Sequence, residues 1–167
     1  MNLLIIGADQ HGRVAKEIAE LTGKFDKIAF LDDNASDSIA KLSDYEKYVE
    51  EYPYAFVAFG SCSFRKEWIE KVEAAGFELT TIIHPSASIS PSAVIESGVI
   101  IEGNAVVNTA SVVKKGCILS IGALVDHDSI VNECCHVETG AVVMPNSEVP
   151  AVGVLEPNSV YSGKEVA

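Results

Sequence analysis

Two hydrophobic patterns divide this chain. Up to about residue 80, short apolar runs alternate with stretches in which apolar residues recur at helical spacing, as Val14, Ile18 and Leu21 do. Strands that alternate with helices are typical of a parallel sheet, so we predict a small Rossmann-like α/β subdomain over residues 1–82. The predicted strands cover residues 3–6, 28–31, 56–59 and 79–83, and the predicted helices cover residues 13–21 and 64–75.

From Ile83 onward the hydrophobic period is six. Four residues after each aliphatic position comes a residue that is mostly small, such as Ala87 or Ala93. A hexapeptide repeat is typical of a parallel β-helix, in which short strands form the faces of a prism around a continuous apolar core. We therefore predict such a prism for residues 83–167. The aliphatic positions run without interruption through Ile83, Ile89, Ile95, Ile101, Val107, Val113, Leu119, Val125, Val131, Val137, Val143, Val149 and Leu155.

Composition narrows the class of protein. The 167 residues are 48% hydrophobic and 22% charged, which is typical of a globular chain with one ordinary domain or two small ones. The formal net charge of −12 argues against binding to nucleic acid or to an anionic membrane, because both depend on clustered lysine and arginine. We expect a small molecule or another protein as the partner.

The first residues and the cysteines indicate a reducing compartment. The apolar opening MNLLIIG is too short for a signal peptide and lacks a basic flank, so we expect a cytoplasmic protein. Cys62, Cys117, Cys134 and Cys135 have no metal-binding spacing. Cys117 and Cys135 occupy the small-residue position of the repeat, where we expect them to be buried and unreactive.

One histidine stands out within the repeats. His127 lies between Asp126 and Asp128, two residues after the core position Val125, at a position where other repeats carry residues suited to an exposed corner. It is either a surface histidine without a role or a functional one. Acyl transfer to an amine or hydroxyl needs a base, and an imidazole oriented by a carboxylate suits that task near neutral pH.

Several motifs occur in order along nearly the whole chain: GADQHG after the first strand, LDDN after the second, HPSA at residues 84–87, and VDHD at residues 125–128 within the repeats. Together they resemble the sugar O- and N-acetyltransferases of the sialic-acid and bacillosamine type. The resemblance implies a nucleotide-sugar-binding subdomain followed by a left-handed parallel β-helix, assembled as a homotrimer. It also implies transfer of acetyl from acetyl-CoA to an amino or hydroxyl group of a sugar.

The resemblance assigns roles to residues of the prism. His127 is the general base and Asp128 its partner, with Asp126 as the alternative partner. His136 occupies a position that is aliphatic in most repeats. By resemblance it belongs to the acetyl-CoA site between neighbouring subunits, and otherwise it is a simple rim histidine. Ser120, on the same cofactor side, stands where bacillosamine-type members have asparagine.

The GADQHG turn opens the first helix, where free backbone N–H groups and the helix dipole favour an anion. By resemblance this turn holds the diphosphate of a nucleotide sugar and faces the histidines of the prism. Asp9 and Gln10 depart from the family pattern, and the Asp9 carboxylate would repel a diphosphate. For Asp32 and Asp33 the alternative is a structural turn. The substrate-binding residues that the resemblance implies are Gly7, His11, Gly12, Asp32, Asp33 and Gly60.

Two features favour a second hypothesis. The last repeats are loosened and the chain stops at Ala167, so we expect a shortened platform for CoA. Between residues 84 and 163 only Lys114 and Lys115 are basic, against eight acidic residues. The alternative is therefore a weak or inactive trimeric binding protein. A prism-type carbonic anhydrase would need three metal-binding histidines on adjacent coils. The chain's histidines are not spaced to meet in that way, so we predict no metal site.

Overall fold

The computed structural model describes residues 1–165, with side chains to residue 163. The amino-terminal subdomain is a parallel sheet with strand order β3-β2-β1-β4-β5. The central strand β1 is an apolar run whose last four residues are buried, as expected where helices cover both faces of a parallel sheet. The elements are β1 (Asn2–Ile6), α1 (Gln10–Thr22), β2 (Lys27–Leu31), β3 (Ser38–Ala40), a 3-10 helix (Leu42–Tyr48), β4 (Tyr54–Val57), α2 (Cys62–Ala74) and β5 (Glu78–Leu79).

The structure corrects the prediction in two places. Strand β3 and the 3-10 helix were not predicted, because neither has a clear apolar period. The strand predicted at residues 79–83 is two strands in different sheets. Leu79 pairs with Ala55 of β4, whereas the N–H of Ile82 donates to the carbonyl of Val99, one coil further along the prism. The predicted subdomain boundary after residue 82 falls inside the first prism strand.

The prism has three faces, and each residue stacks on the residue eighteen positions later. Val107, for example, pairs with Val125, and Leu119 pairs with Val137. The first face contains β6 (Ile82–Ile83), β9 (Ile100–Ile101), β12 (Ile118–Leu119), β15 (His136–Val137) and β18 (Val154–Leu155). The second face contains β7 (Ser88–Ile89), β10 (Val106–Val107), β13 (Leu124–Val125), β16 (Val142–Val143) and β19 (Val160–Tyr161). The third face contains β8 (Val94–Ile95), β11 (Val112–Val113), β14 (Ile130–Val131), β17 (Ser147–Val149) and β20 (Lys164–Glu165).

The aliphatic and small positions of the hexapeptide repeat form the buried core of the prism. Val125, Val131 and Val137 are fully buried, as are Cys117 and Cys135 in the small-residue positions. The chain turns at corners where one residue adopts a left-handed backbone conformation every six positions. These observations confirm a Rossmann-like subdomain followed by a left-handed parallel β-helix.

The two subdomains pack through the first face of the prism. Its outward residues Ile82, Ile100 and Ile118 form an apolar ladder that is buried in one cluster with Ile18 of α1 and the sheet residue Phe56. The next outward residue of that ladder is His136. The corner between the second and third faces lies on the opposite side of the prism from this subdomain interface.

Candidate active site

His127 lies at the corner between the second and third faces, as predicted, and 45% of its side chain is exposed. Its Nδ1 lies 2.8 Å from Oδ2 of Asp128. The acceptor carboxylate fixes the ring orientation and holds the proton on Nδ1, which leaves Nε2 as the basic nitrogen. Among residues 1–163, no group hydrogen-bonds to Nε2. The basic nitrogen thus has no partner among the described side chains, and it belongs to an imidazole that is nearly half exposed.

The backbone at Asp128 explains how two adjacent residues meet. Asp128 has φ of 54°, in the left-handed region that aspartate tolerates better than most residues. Its N–H donates to the carbonyl of Thr109 at 2.9 Å, which ties this corner to the coil below. The hexapeptide corner thus supplies the conformation, and the choice of aspartate supplies the carboxylate.

Asp126 has a different task. Its Oδ1 accepts from the backbone N–H of His127 and from Nδ2 of Asn108, each at 2.8 Å. The hydrogen bond from Asn108, followed by that from His127, lowers the pKa of Asp126. Asp126 therefore anchors the backbone at the corner, and Asp128 is the carboxylate that contacts the imidazole.

His136 is buried at the subdomain interface, with 4% of the residue exposed, so the interpretation as a rim histidine is wrong for this chain. Its Nε2 lies 2.9 Å from Oγ of Ser120, and its Nδ1 lies 3.4 Å from Oε1 of Glu138. Burial, and then the nearby His11 and Arg65, lower the pKa of His136 to about 4. The imidazole is neutral at pH 7, so its contact with Glu138 is not an ion pair there.

His11 brings the GADQHG turn against the prism. Its ring meets that of His136 edge to face, with 5.2 Å between centroids. Burial, followed by the charge of Arg65, lowers the pKa of His11. Two glycines permit close packing around this turn. A Cβ on Gly12 would lie 2.2 Å from the carbonyl oxygen of Gly7, and one on Gly60 would lie 3.0 Å from Cδ2 of His11.

A cavity of about 470 Å³ lies on the other side of the turn. Asp9 and Arg13 line it from α1, and Asp32 and Asp33 line it from the end of β2. Asp9 is the exposed N-cap of α1, and its side chain makes no capping hydrogen bond, so its carboxylate adds negative charge to this cavity without satisfying an N–H group of the helix. Of the residues predicted to bind substrate, Asp32 and Asp33 line this cavity, whereas His11 faces the prism.

Both aspartates make local contacts. Oδ2 of Asp32 accepts from the N–H of Ala8 at 2.9 Å, and its Oδ1 accepts from the N–H groups of Asn34 and Ala35. These backbone hydrogen bonds, with that from Ala8 the strongest, lower the pKa of Asp32. Asp33 accepts from the N–H of Leu42 at 3.1 Å. The alternative of a structural turn therefore describes what their carboxylates do in this structure.

The histidines predicted for the site fall into two groups that do not meet within one chain. His11, Ser120 and His136 come together at the first face. His127 and Asp128 lie at the corner opposite that face. A site that used both groups would need a second copy of the chain to supply one of them.

Sequence reasoning missed two buried charged residues. Arg65 is fully buried between the subdomains, and Glu102 is 6% exposed near the edge of the first face. Burial is the main cause of the raised pKa of Glu102. Arg65 could have been noticed, because it falls on the buried stripe of α2 with Cys62, Ile69 and Val72.

A second cavity, of about 690 Å³, runs between α1 and the corner that joins the first and second faces. Val14, Ile18 and Leu21 line it from the helix, and Glu102 and Ile121 line it from the prism. It lies toward the carboxyl end of α1, away from His11. None of the residues predicted for substrate or cofactor lines it.

In the part of the chain that the structure describes, no group of three histidine, cysteine or acidic side chains is placed to hold a metal ion. All four cysteines are buried and unpaired by disulfides. No helix among residues 1–165 is long and apolar enough to cross a membrane.

Comparisons with known proteins match both subdomains. Residues 2–72 match the family described as the PglD N-terminal domain. UDP-N-acetylbacillosamine N-acetyltransferase from Bacillus subtilis (strain 168) is 31% identical over 113 residues, which are 58% of this chain and 49% of that protein. The match thus spans about half the length of this relative.

Solved structures match over more of the chain. The acetyltransferase domain of PglB from Neisseria gonorrhoeae FA1090 superposes with a TM-score of 0.93 at 32% identity, covering 97% of this chain and 82% of that one. The same domain in complex with acetyl coenzyme A superposes with a TM-score of 0.88 at 31% identity, with the same coverage. PerB from Caulobacter crescentus, in complex with CoA and GDP-perosamine, gives a TM-score of 0.76 at 26% identity, covering 97% of this chain and 92% of PerB.

The similarity to the PglB domain covers 97% of this chain and so extends through both the sheet and the prism. The chain belongs to the sugar acetyltransferases of the sialic-acid and bacillosamine type, within the hexapeptide-repeat superfamily.

Proposed function

We propose that the protein transfers an acetyl group from acetyl-CoA to an amino or hydroxyl group of a nucleotide-linked sugar, with His127 as general base. The observation that carries the proposal is the His127–Asp128 pair, 2.8 Å apart at an exposed corner whose packing does not require a histidine. The names of the relatives add support: one is an amino-sugar N-acetyltransferase, and others are in complex with acetyl coenzyme A or with CoA and GDP-perosamine.

In the proposed reaction, Nε2 of His127 accepts a proton from the acceptor as its nitrogen or oxygen attacks the acetyl carbonyl carbon. The carbon–sulfur bond then breaks, the acetyl group stays on the acceptor, and the imidazolium returns the proton to the CoA sulfur. Asp128 holds the ring and stabilises the imidazolium while it exists. Asp126 and Asn108 hold the backbone on which the ring stands.

We propose a trimer whose active site lies between chains. The two faces that meet at the His127 corner carry outward apolar residues that residues 1–163 leave wholly or partly exposed; Val94 and Val160 are 53% and 66% exposed. Flat apolar faces suit packing around a threefold axis, and such packing would place His127 of one chain near the first face of the next. The remaining outward apolar residues of these two faces are Val106, Val112, Leu124, Ile130 and Val142.

The other site residues then have defined places. We assign nucleotide-sugar binding to the GADQHG turn and the cavity beside it, through Gly7, His11, Gly12, Asp32, Asp33 and Gly60. We assign the acetyl-CoA side to His136 and Ser120. Burial disfavours the charged form of His136, so the ring adds no positive charge on the side proposed for an uncharged thioester.

A second candidate is a trimeric binding protein with little or no catalysis. The observation that favours it is the pairing of two lysines of the prism with acidic residues: Lys115 Nζ lies 2.6 Å from Glu73, and Lys114 Nζ lies 3.7 Å from Glu133. Acidic partners reduce the positive charge that these lysines can offer to the phosphates of CoA.

Calorimetric titration of the unmodified protein separates the two candidates. The proposal predicts saturable binding of acetyl-CoA at micromolar to millimolar concentration, and of a UDP- or GDP-linked amino sugar. Binding of the sugar nucleotide without acetyl-CoA binding at millimolar concentration would favour the binding protein. Absence of both would contradict each candidate. Sedimentation in the same buffer tests the trimer.

A further inference from the structure

Arg65 is the only arginine of the described chain that is buried, and it lies where the two subdomains meet. The chain has one other arginine, Arg13, which is exposed on α1. Arg65 is 0% exposed and stands on the buried stripe of α2. A fully buried guanidinium needs several acceptors to offset its lost hydration.

The guanidinium of Arg65 donates to carbonyl oxygens of both subdomains. In the sheet subdomain, Nη1 donates to Phe59 at 2.7 Å and to Gly60 at 3.1 Å. In the prism, Nε donates to Gly116 at 2.8 Å, and Nη2 donates to Cys134 at 2.9 Å and Cys135 at 3.1 Å. No carboxylate among residues 1–163 pairs with it.

The guanidinium acts as a fork whose Nη1 and Nη2 each bond to backbone next to one histidine of the interface. Gly60 packs directly against the His11 ring, where an added Cβ would lie 3.0 Å from Cδ2 and the ring would have to shift to accommodate it. Cys135 immediately precedes His136. The fork therefore joins the two backbone segments that bring His11 and His136 to a centroid distance of 5.2 Å.

We propose that Arg65 is a positioning residue: its guanidinium sets the placement of His11, in the GADQHG turn, against His136, on the prism. Its kinetic consequence rests on the proposed function, but the placement itself does not. The positive charge of Arg65 also favours the neutral form of both rings, since it is one of the causes that lower the pKa of His11 and of His136. Their other charged neighbours include Glu138, beside His136, and Asp9, near His11.

Lysine cannot reproduce this arrangement. Its single ammonium offers three donors at one point, whereas the planar guanidinium spreads five donors over a rigid fork. Arg65→Lys keeps the charge and loses the simultaneous reach to both subdomains. The matched control is Lys66→Met, which removes a positive charge from the next, exposed position of the same helix.

The first measurement uses the unmodified protein. Because the chain has two arginines, their Nε–H resonances are readily assigned by NMR, and Arg13 is an internal reference. The proposal predicts that Nε–H of Arg65 exchanges with solvent at least a hundredfold more slowly than that of Arg13. Equal exchange rates would overturn the proposal, whatever the variants do.

The second measurement is the nuclear Overhauser cross peak between ring protons of His11 and His136, in deuterated protein with labelled histidine. We expect it in the unmodified protein and in Lys66→Met, and we expect Arg65→Lys and Arg65→Met to lose at least half of its intensity. In acetyl transfer, Arg65→Lys should lower kcat about tenfold or more while changing the KM for acetyl-CoA less. A folded Arg65→Lys with an unchanged cross peak would overturn the proposal. Loss of the cross peak in a protein that never had transferase activity would support the positioning role and contradict only the proposed function.

Discussion

Two histidines, nine residues apart, stand in opposite environments. His127 lies at an exposed corner with a carboxylate 2.8 Å from its Nδ1. His136 lies on a buried face with a hydroxyl 2.9 Å from its Nε2 and a second imidazole against its ring. The same side chain is thus placed once where it can exchange protons with solvent and once where burial keeps it neutral.

The difference shows that the position of a histidine within the repeat determines its environment. A histidine in the corner position is free to act as a base, because the neighbouring strands do not cover it. A histidine in the outward position of the first face replaces an aliphatic residue of the ladder, so it must find partners for both ring nitrogens. In the proposed division of labour, His127 transfers the proton, whereas His136 stays neutral on the acetyl-CoA side of the site.

Removal of the corner imidazole should have the largest effect. His127→Ala should lower kcat by roughly 10²–10⁴-fold, the usual contribution of a positioned general base. Binding of acetyl-CoA and of the sugar nucleotide should change little, because the corner stays folded. Steady-state kinetics together with calorimetry measure both quantities. A loss that appeared only in binding would mean that His127 is not the base.

Replacement of the buried imidazole should change how strongly the protein's stability depends on pH. The pKa of His136 is lowered from its ordinary value of 6.5 to about 4, so the unfolded chain binds a proton that the native chain does not as pH falls below 6.5. The titration of His136 therefore has no effect on the free energy of unfolding above pH 6.5 and lowers it progressively as the pH falls toward 4. Between pH 7 and pH 5 this loss is roughly 2 kcal/mol.

His136→Val restores the aliphatic ladder and removes that titration. Chemical denaturation of the unmodified protein and the variant at pH 7 and pH 5 should show the smaller pH dependence in the variant. Ser120 loses its partner in both conditions, so this cost cancels from the comparison. An unchanged pH dependence would contradict the assignment of a neutral, buried His136.

The two aspartates beside His127 provide a matched pair. Asp128→Asn keeps the size of the side chain and suits the left-handed backbone, but removes the charge that stabilises the imidazolium. We expect kcat to fall about tenfold, less than for His127→Ala. Asp126→Asn can still accept the hydrogen bond from the N–H of His127 and should cost less than Asp128→Asn. The reverse order in kcat would make Asp126 the partner.

Asp9 should have the smallest effect. Its carboxylate faces the cavity proposed for a diphosphate and caps no N–H group of α1. Asp9→Gly should tighten binding of a UDP-linked sugar by about fivefold, from about 1 kcal/mol of removed repulsion. Asp9→Asn, which keeps the shape, should give a similar gain in calorimetry. If neither variant binds more tightly, the diphosphate does not lie near this turn.

The prism was predictable in detail and the site only in part. One aliphatic residue in six determines which side chains fill the core and which stand at corners, so the exposure of His127 followed from its spacing from Val125. The spacing could not distinguish Asp126 from Asp128, because the choice depends on the left-handed backbone at the corner. Nor could it find the role of Arg65, whose acceptors are backbone carbonyls far apart in sequence.

Acetyl transfer by the unmodified protein tests the central claim most directly. Release of the CoA thiol is followed with acetyl-CoA and UDP- or GDP-linked amino sugars, beside His127→Ala at the same protein concentration. The account predicts sugar-dependent thiol release, with the acetylated sugar detected by mass, and a rate at least a hundredfold lower in the variant. Thiol release that is absent with every acceptor, or equal in the two proteins, would contradict it.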